Sequence, residues 1–358
     1  LTRILLTAAG GGVSENLLKA IRASTVATCV VGVSCDRFSL ARSSTERAYL
    51  VPRADAGLEY VQAVRRIVER ERIDLIIPGH DAEVSPLSRH RNDLGARLFL
   101  PRHETIEQLQ DKLRLNQGLS ALGAPVARTH PYTDTEAVDR LLEEAGPGGL
   151  VWCRLRRSSA SRGSLPVNSR AQLDAWVDYW EAMRRVGRDQ FIVSEYLPGR
   201  DFAFQSVWNR GRLVLAKCCE RLVYLAGDWM PSGTSSTPRV ARLTNEAAVN
   251  QVCEAAVHGL DAEASGIYCI DLKEDRLGQP CITEINLGRF FMISPVFNLV
   301  GRHNMAELFI RLAVGESVQV DDSERFSDIG VQETYLVREF DGAPALLPKR
   351  LIDQLQEG

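Results

Sequence analysis

Three oxygen-bearing residues sit close together late in the chain: Asp271 in Tyr268–Leu272, and Glu284 and Asn286 in Cys281–Asn286. The polar segment between these apolar arms, Lys273–Pro280, reads as the turn of a hairpin. Glu284 and Asn286 are two apart, so both point to one face of a strand while Ile285 packs behind. A turn centred on Leu277-Gly278 sets Asp271 opposite Glu284, with side chains about 5 Å apart. Two facing carboxylates and an amide oxygen on a half-buried sheet face call for a cation. Hard oxygen ligands suit Mg²⁺, which keeps waters and takes substrate phosphates to fill its octahedron. The competing reading is ordinary solvent-facing alternation on a surface hairpin.

The elements that must position this hairpin follow from the rest of the chain. At 358 residues, with 45% hydrophobic and 25% charged residues, it is long enough for two or three subdomains around stable cores. A net charge of −3 gives no basic footprint for nucleic acid. No apolar run approaches the length of a membrane span. The opening TRILLTAAGGG reads as a buried strand and turn and not as a signal peptide, so a cytoplasmic protein is expected. Its eight scattered cysteines, without a CxxC, read as buried free thiols.

Strands at Arg3–Thr7, Val26–Val33 and Ile73–Pro78 alternate with helices at Ser14–Arg22 and Tyr60–Glu71. That alternation predicts an α/β fold opening with a doubly wound parallel sheet. The Ala8–Gly12 turn is not a complete GxGxxG, and close strand–helix packing accounts for it. The PGHDAE stretch ends a strand where open sheets bind ligands, so His80, Asp81 and Glu83 are candidate substrate contacts, with Asp81 as a plain helix cap the alternative. A helix over Thr105–Leu122, with a Thr105/Gln108 capping box and a Gly123 stop, carries Lys112, which on its own would read as solvated. The strand Leu150–Leu155 precedes a basic, serine-rich loop, Arg156–Ser164, able to close over polyphosphate or to move freely at the surface. The strand Gln190–Tyr196 leads to Glu195–Asp201. A hairpin turns at Asn209-Arg210-Gly211, Gly227–Pro238 is loop-like, and Asn245–Leu260 is a helix. Asn304–Ala313 is read as a helix, Gly330–Glu339 as a strand and Leu347–Gln356 as a closing helix.

Taken in order, IDLIIPGHDAE, DKLRLNQGLSALGAPV, FIVSEYLPGRD and CIDLKEDRLGQPCITEINLGR make the chain resemble the ATP-grasp superfamily, in the branch similar to half of a carbamoyl-phosphate synthase large subunit. The resemblance covers most of the chain and implies a pre-ATP-grasp domain at 1–104, a small lobe with lid and nucleotide linker at 105–200, and a large lobe at 201–358. It implies ATP and Mg²⁺ as cofactors. Lys112, Arg154 and Ser161 of the lid loop would meet phosphates, Glu195 and Leu197 the adenine edge, and Asp201 the ribose. Asp271, Glu284 and Asn286 would be the metal ligands, and Arg289 would neutralise transferring phosphate oxygens.

The implied chemistry is ADP-forming ligation of a small, amino-acid-like carboxylate to an amine through an acyl phosphate, with Arg154 and Arg289 as catalytic cations. A small-molecule kinase or a catalytically degenerate ATP-binding regulator are the alternatives. Arg221, Arg239 and Arg338 are candidate anchors for a substrate carboxylate, or else surface ion pairs. Substrate contacts are expected from loops around His80–Glu83, Tyr224–Pro238 and Phe290–Asn298, and a homodimer is expected as the commonest soluble assembly. The sequence departs from the family pattern at three places: Arg154 stands where lysine is usual, the SSASRG loop is poor in glycine, and EINLGR is one residue longer than EINPR.

Overall fold

The computed structural model describes residues 1–158, 161–235, 237–292, 300–326, 333–340 and 345–349. The first unit is a parallel sheet ordered β3-β2-β1-β4, built from β1 (Thr2–Leu6), β2 (Thr28–Ser34), β3 (Arg47–Leu50) and β4 (Leu75–Ile77). Helices α1 (Gly12–Arg22), α2 (Arg37–Ala41) and α3 (Leu58–Glu71) connect the strands. The apolar runs expected as strands are the buried ones, as befits a sheet covered on both faces. β3 has no such run, because it is a largely exposed edge strand of sequence RAYL. Gly10 adopts φ +81°, and a Cβ there would lie 1.7 Å from the Ser39 carbonyl oxygen. The glycine turn is therefore spent on close backbone packing.

The stretch 105–122 forms two helices where one is expected, α5 (His103–Leu109) and α6 (Lys112–Ala121), following α4 (Asp81–Arg89). Asp111 caps α6, accepting from the Leu113 and Arg114 N–H groups at 3.0 and 3.3 Å. The Thr105/Gln108 capping box does not form: Thr105 is buried inside α5, whose N-cap, Arg102, makes no side-chain cap bond. Both helices lay their apolar sides, including Ile106, Leu109, Leu115 and Leu119, on the large sheet described next.

An antiparallel sheet ordered β5-β8-β6-β7 comprises β5 (Thr129–Pro131), β6 (Val151–Leu155), β7 (Leu165–Val167) and β8 (Phe191–Glu195). With α7 (Thr135–Ala145) and α8 (Arg170–Arg184) it buries its own cluster around Val138, Leu141, Val177 and Phe191. The large sheet, ordered β13-β12-β9-β10-β11-β14-β15, has seven strands. They are β9 (Asp201–Asn209), β10 (Arg212–Tyr224), β11 (Pro238–Thr244), β12 (Gly266–Glu274), β13 (Pro280–Leu287), β14 (Thr334–Val337) and β15 (Ala345–Pro348). One face carries α9 (Ala247–Leu260) with α5 and α6; the other shares a core with α10 (Met305–Ala313), α1 and the first sheet. The closing helix expected at 347–356 is corrected in its first residues, where 345–348 form β15; 350–356 lie outside the described residues.

All eight cysteines are free, and six of them are buried. Among the described residues no helix is long and apolar enough to cross a membrane.

Candidate active-site cleft

The hairpin β12–β13 pairs Asp271 with Glu284, but not through the turn alone. The turn is held by the Asp275 carboxylate, which accepts from the Leu277 and Gln279 N–H groups at 2.8 and 2.9 Å. Next to it the register runs Glu274↔Pro280 to Leu272↔Ile282, which would continue to Asp271↔Thr283. A bulge at Thr283 inserts one residue and brings Glu284 opposite Asp271 instead. Two contacts pin the bulge: Thr283 Oγ1 donates to the Asp271 carbonyl at 3.0 Å, and Arg154 Nη2 donates to the Thr283 carbonyl at 3.0 Å.

Each carboxylate on this wall has a cation. Asp271 accepts from Arg221 Nη2 and, at 3.2 Å, from the Asn286 amide. Glu284 lies 3.2 Å from the Lys112 ammonium, which is 5% exposed and also donates to the Ser158 carbonyl at 2.7 Å. Lys112 is thus buried in the cleft, contrary to the solvated reading of a lone helical lysine. Asp201 accepts from Arg221 at 2.7 Å and from the Tyr224 hydroxyl at 2.5 Å. Burial pushes the Asp271 carboxyl up to about 6; Arg221 opposes that rise and Glu284 adds to it.

These groups line a cleft of about 300 Å³ between the lobes and the first sheet. Arg154 enters from β6 with no carboxylate partner; its Nε is buried and makes no hydrogen bond, and burial lowers its pKa. A buried donor left open in this way fits an anion. Leu197, Ala127 and Ile282 supply an apolar edge beside Glu195 and Tyr196. The Glu195 carboxylate itself turns away to Arg128, accepting from its N–H at 3.0 Å and its Nη2 at 2.6 Å, while the Glu195 N–H donates to the Arg128 carbonyl at 3.0 Å. Ser161 lines the lid side in a left-handed conformation, φ +54°.

Of the candidates at the end of β4, His80 and Asp81 line the cleft and Glu83 does not. His80 is the cap of α4, its Nδ1 accepting from the Ala82 N–H at 3.1 Å, so Asp81 is the first helical residue and not the cap. Asp81 accepts from the Arg289 fork, at 2.8 Å for Nη2. Burial raises the Asp81 pKa, but Arg289 outweighs it and leaves the carboxyl below its ordinary value. Glu83 points into the first unit, accepting from Thr7 Oγ1 at 2.5 Å and Tyr60 OH at 3.2 Å, and burial pushes it up to about 7.

The other arginine anchors are also redistributed. Arg221 is in the cleft as the partner of two carboxylates, Arg239 pairs with Glu339 at 2.8 Å at the surface, and Arg338 is buried outside the cleft lining. The extra residue of EINLGR is absorbed by Gly288 at φ +72°, packed so that a Cβ would lie 2.7 Å from Leu100 and 3.0 Å from Val84. Lys273, read as part of the turn, is on β12 and lines the cleft; its spacing of two from Asp271 was the available signal. Tyr224, Thr234, Ser235 and Thr237 add hydroxyls from the loop expected to meet substrate, while 293–299 of the third such loop lie outside the described residues.

Among the described residues no three His, Cys, Asp or Glu side chains gather as a metal site. The set here is two opposed carboxylates and an amide, which suits a hard cation that takes its remaining ligands from water and phosphate. Burial is the main cause of the raised Asp271 pKa and Glu284 adds to it; a cation held between the two carboxylates would offset both. The residues therefore fit Mg²⁺.

Residues 4–97 match the family described as PylC-like, N-terminal domain. Across 94% of the chain, the fold is similar to the biotin carboxylase domain of Hydrogenobacter thermophilus 2-oxoglutarate carboxylase, solved with MgADP, ADP and bicarbonate (TM-score 0.72, 18% identity, 74% of that chain). It is similar over the same share to L-amino acid ligase from Bacillus licheniformis (TM-score 0.68, 14% identity, 79% of that chain). The same share again is similar to N5-carboxyaminoimidazole synthetase from Staphylococcus aureus, solved with ADP (TM-score 0.68, 13% identity, 82% of that chain).

Proposed function

We propose that this chain, which has the ATP-grasp fold, is an ATP-dependent, ADP-forming ligase joining a small carboxylate to an amine. The observation that carries the reading is the convergence of Asp271 and Glu284 from the hairpin with Lys112 and Arg154 from two other elements. In this reading the apolar edge at Leu197 and the 195–197 backbone take the base, and Asp201 takes the ribose. Lys112 and Arg154 face the phosphates, and Asp271, Glu284 and Asn286 hold Mg²⁺. Bound there, Mg²⁺ would neutralise phosphate charge.

The chain's own residues do the rest. Lys112 and Arg154 draw charge from the phosphate oxygens as the substrate carboxylate attacks the γ-phosphorus and ADP leaves. An amine then attacks the acyl carbon, and phosphate departs. The Arg156–Ser164 loop shields the acyl phosphate from water. Arg289, held by Asp81, presents both signs of charge to the cleft, complementary to an amino-acid-like zwitterion.

The test is incubation with ATP, Mg²⁺ and panels of carboxylates and amines. ADP and phosphate released only when both substrates are present supports the reading. AMP and pyrophosphate refute it. A stable phosphorylated product formed without amine selects a kinase. A second reading, a nucleotide-binding protein without turnover, is favoured by the full internal pairing of Asp271 and Glu284; nucleotide binding with no product across the panels would select it.

A further inference from the structure

We infer that Arg221 is a built-in counter-ion that holds Asp271 and its neighbour Asp201 in place and makes divalent-metal binding conditional on the nucleotide. The inference rests on the nucleotide-and-metal reading above.

Arg221 stands on β10 in register with Asp201 on β9; across β9, Asp271 on β12 pairs with Ala203. Its side chain is 6% exposed, one arm on Asp201 at 2.7 Å and the other on Asp271, with Nη1 also 3.3 Å from the Phe202 carbonyl. The Phe291 ring centroid lies 5.8 Å away and closes another side. With Asn286 on the second oxygen, both oxygens of Asp271 are already taken by donors. An incoming ion must share those oxygens with the two donors or displace one of them.

Charge decides which conditions allow that. Asp201, Asp271 and Glu284 face Lys112, Arg154 and Arg221, three negative groups against three positive, while Asp81 and Arg289 cancel as a pair, Glu195 is cancelled by Arg128 behind it, and Lys273 adds a further positive charge. A dication arriving alone meets no net attraction and a guanidinium at close range. A polyphosphate entering the cleft draws Lys112 and Arg154 and supplies the missing negative charge. Removing Arg221 would instead leave two carboxylates unpaired in a poorly solvated place, which is a cation site by itself.

The experiment follows protein-bound Mn²⁺ by electron paramagnetic resonance, with and without a non-hydrolysable ATP analogue, together with Tm in millimolar Mg²⁺. For the unaltered chain, bound Mn²⁺ is expected only with the analogue. Arg221→Gln is expected to bind free Mn²⁺ at least ~10-fold more tightly than the unaltered chain, with a Tm that rises on adding Mg²⁺. Arg221→Lys keeps the charge and is expected to behave as the unaltered chain does.

Equal Mn²⁺ binding by the unaltered chain with and without the analogue overturns the inference. So does an Arg221→Gln protein that binds free Mn²⁺ no better than the unaltered chain, or an Arg221→Lys protein that binds it as Arg221→Gln does. If Arg221→Gln does not fold, the unaltered chain and Arg221→Lys still decide the matter. Absence of bound Mn²⁺ in the unaltered chain even with the analogue is the separate failure of the nucleotide-and-metal reading.

Discussion

The two walls of the cleft are built on opposite electrostatic plans. On the opposite wall Asp271 and Glu284 of the hairpin and Asp201 of β9 each meet a cation at 3.2 Å or less, Asp201 and Asp271 sharing Arg221, so every carboxylate there is paired before anything binds. On the small-lobe wall Arg154 donates to a single carbonyl and lacks a carboxylate partner; its Nε is open, as is that of Arg221, so the missing carboxylate is the difference. A balanced wall keeps its geometry at little cost, whereas an unbalanced one holds free energy that only an anion recovers. The difference teaches that the carboxylate wall is arranged by the protein itself, whereas on the reading proposed above the Arg154 wall is completed by the ligand.

The largest effect that could break this comparison is loss of a hairpin carboxylate. Glu284→Gln keeps the shape and removes the charge, and is expected to lower Mg²⁺-dependent turnover by more than about 100-fold, the upper figure for losing a group that merely supports a metal ligand. Circular dichroism and Tm should stay near those of the unaltered chain; surviving activity would remove Glu284 from the metal side.

Arg154→Gln tests the other wall. ATP affinity is expected to fall by about 10–100-fold, the scale of a hydrogen bond to a charged group, while adenosine affinity is unchanged. Calorimetric titration with both ligands checks it, and equal losses would mean that Arg154 serves only to hold the bulge at Thr283.

Glu83 sharpens the contrast, because it is buried with hydroxyl partners and no cation. Its folded pKa of about 7 exceeds its ordinary value of 4.5, so the fold favours the protonated form. That stabilisation is complete below about pH 4.5 and is lost as pH rises toward 7. Glu83→Gln is therefore expected to gain stability relative to the unaltered chain at pH 8 compared with pH 4.5, on the order of 1–3 kcal/mol. Thermal melts at the two pH values that show the same difference would place the Glu83 titration elsewhere.

The smallest effect concerns the aim of Arg289. Gly288→Ala forces a side chain into the left-handed region and against Leu100, at a cost of about 1–2 kcal/mol. A lower Tm with a raised KM for substrate and an unchanged KM for ATP is expected. A KM change for ATP alone would put Arg289 on the phosphate side.

The alternating apolar runs of the first unit were legible because β1, β2 and β4 are buried on both faces, whereas β3 is an exposed edge and left no pattern. The helix break at Asp111 was missed because the residue reads equally as a solvated helical position; only Arg156, 45 residues away, shows what holds it.

What the sequence by itself determined is the chemistry at hand: a carboxylate and an amide two apart on one arm of a hairpin with a second carboxylate on the other arm, cations at 112, 154 and 289, and an extended linker ending in Leu-Pro-Gly. Local periodicity carries that information, since side-chain direction in a strand repeats every two residues. Which charge meets which was decided only by the tertiary structure. Arg221 faces Asp201 and Asp271, Lys112 faces Glu284, and Arg289 faces Asp81 because sheets and helices distant in sequence close on one cleft. Pairing energies depend on distance and burial, and neither is set by position along the chain.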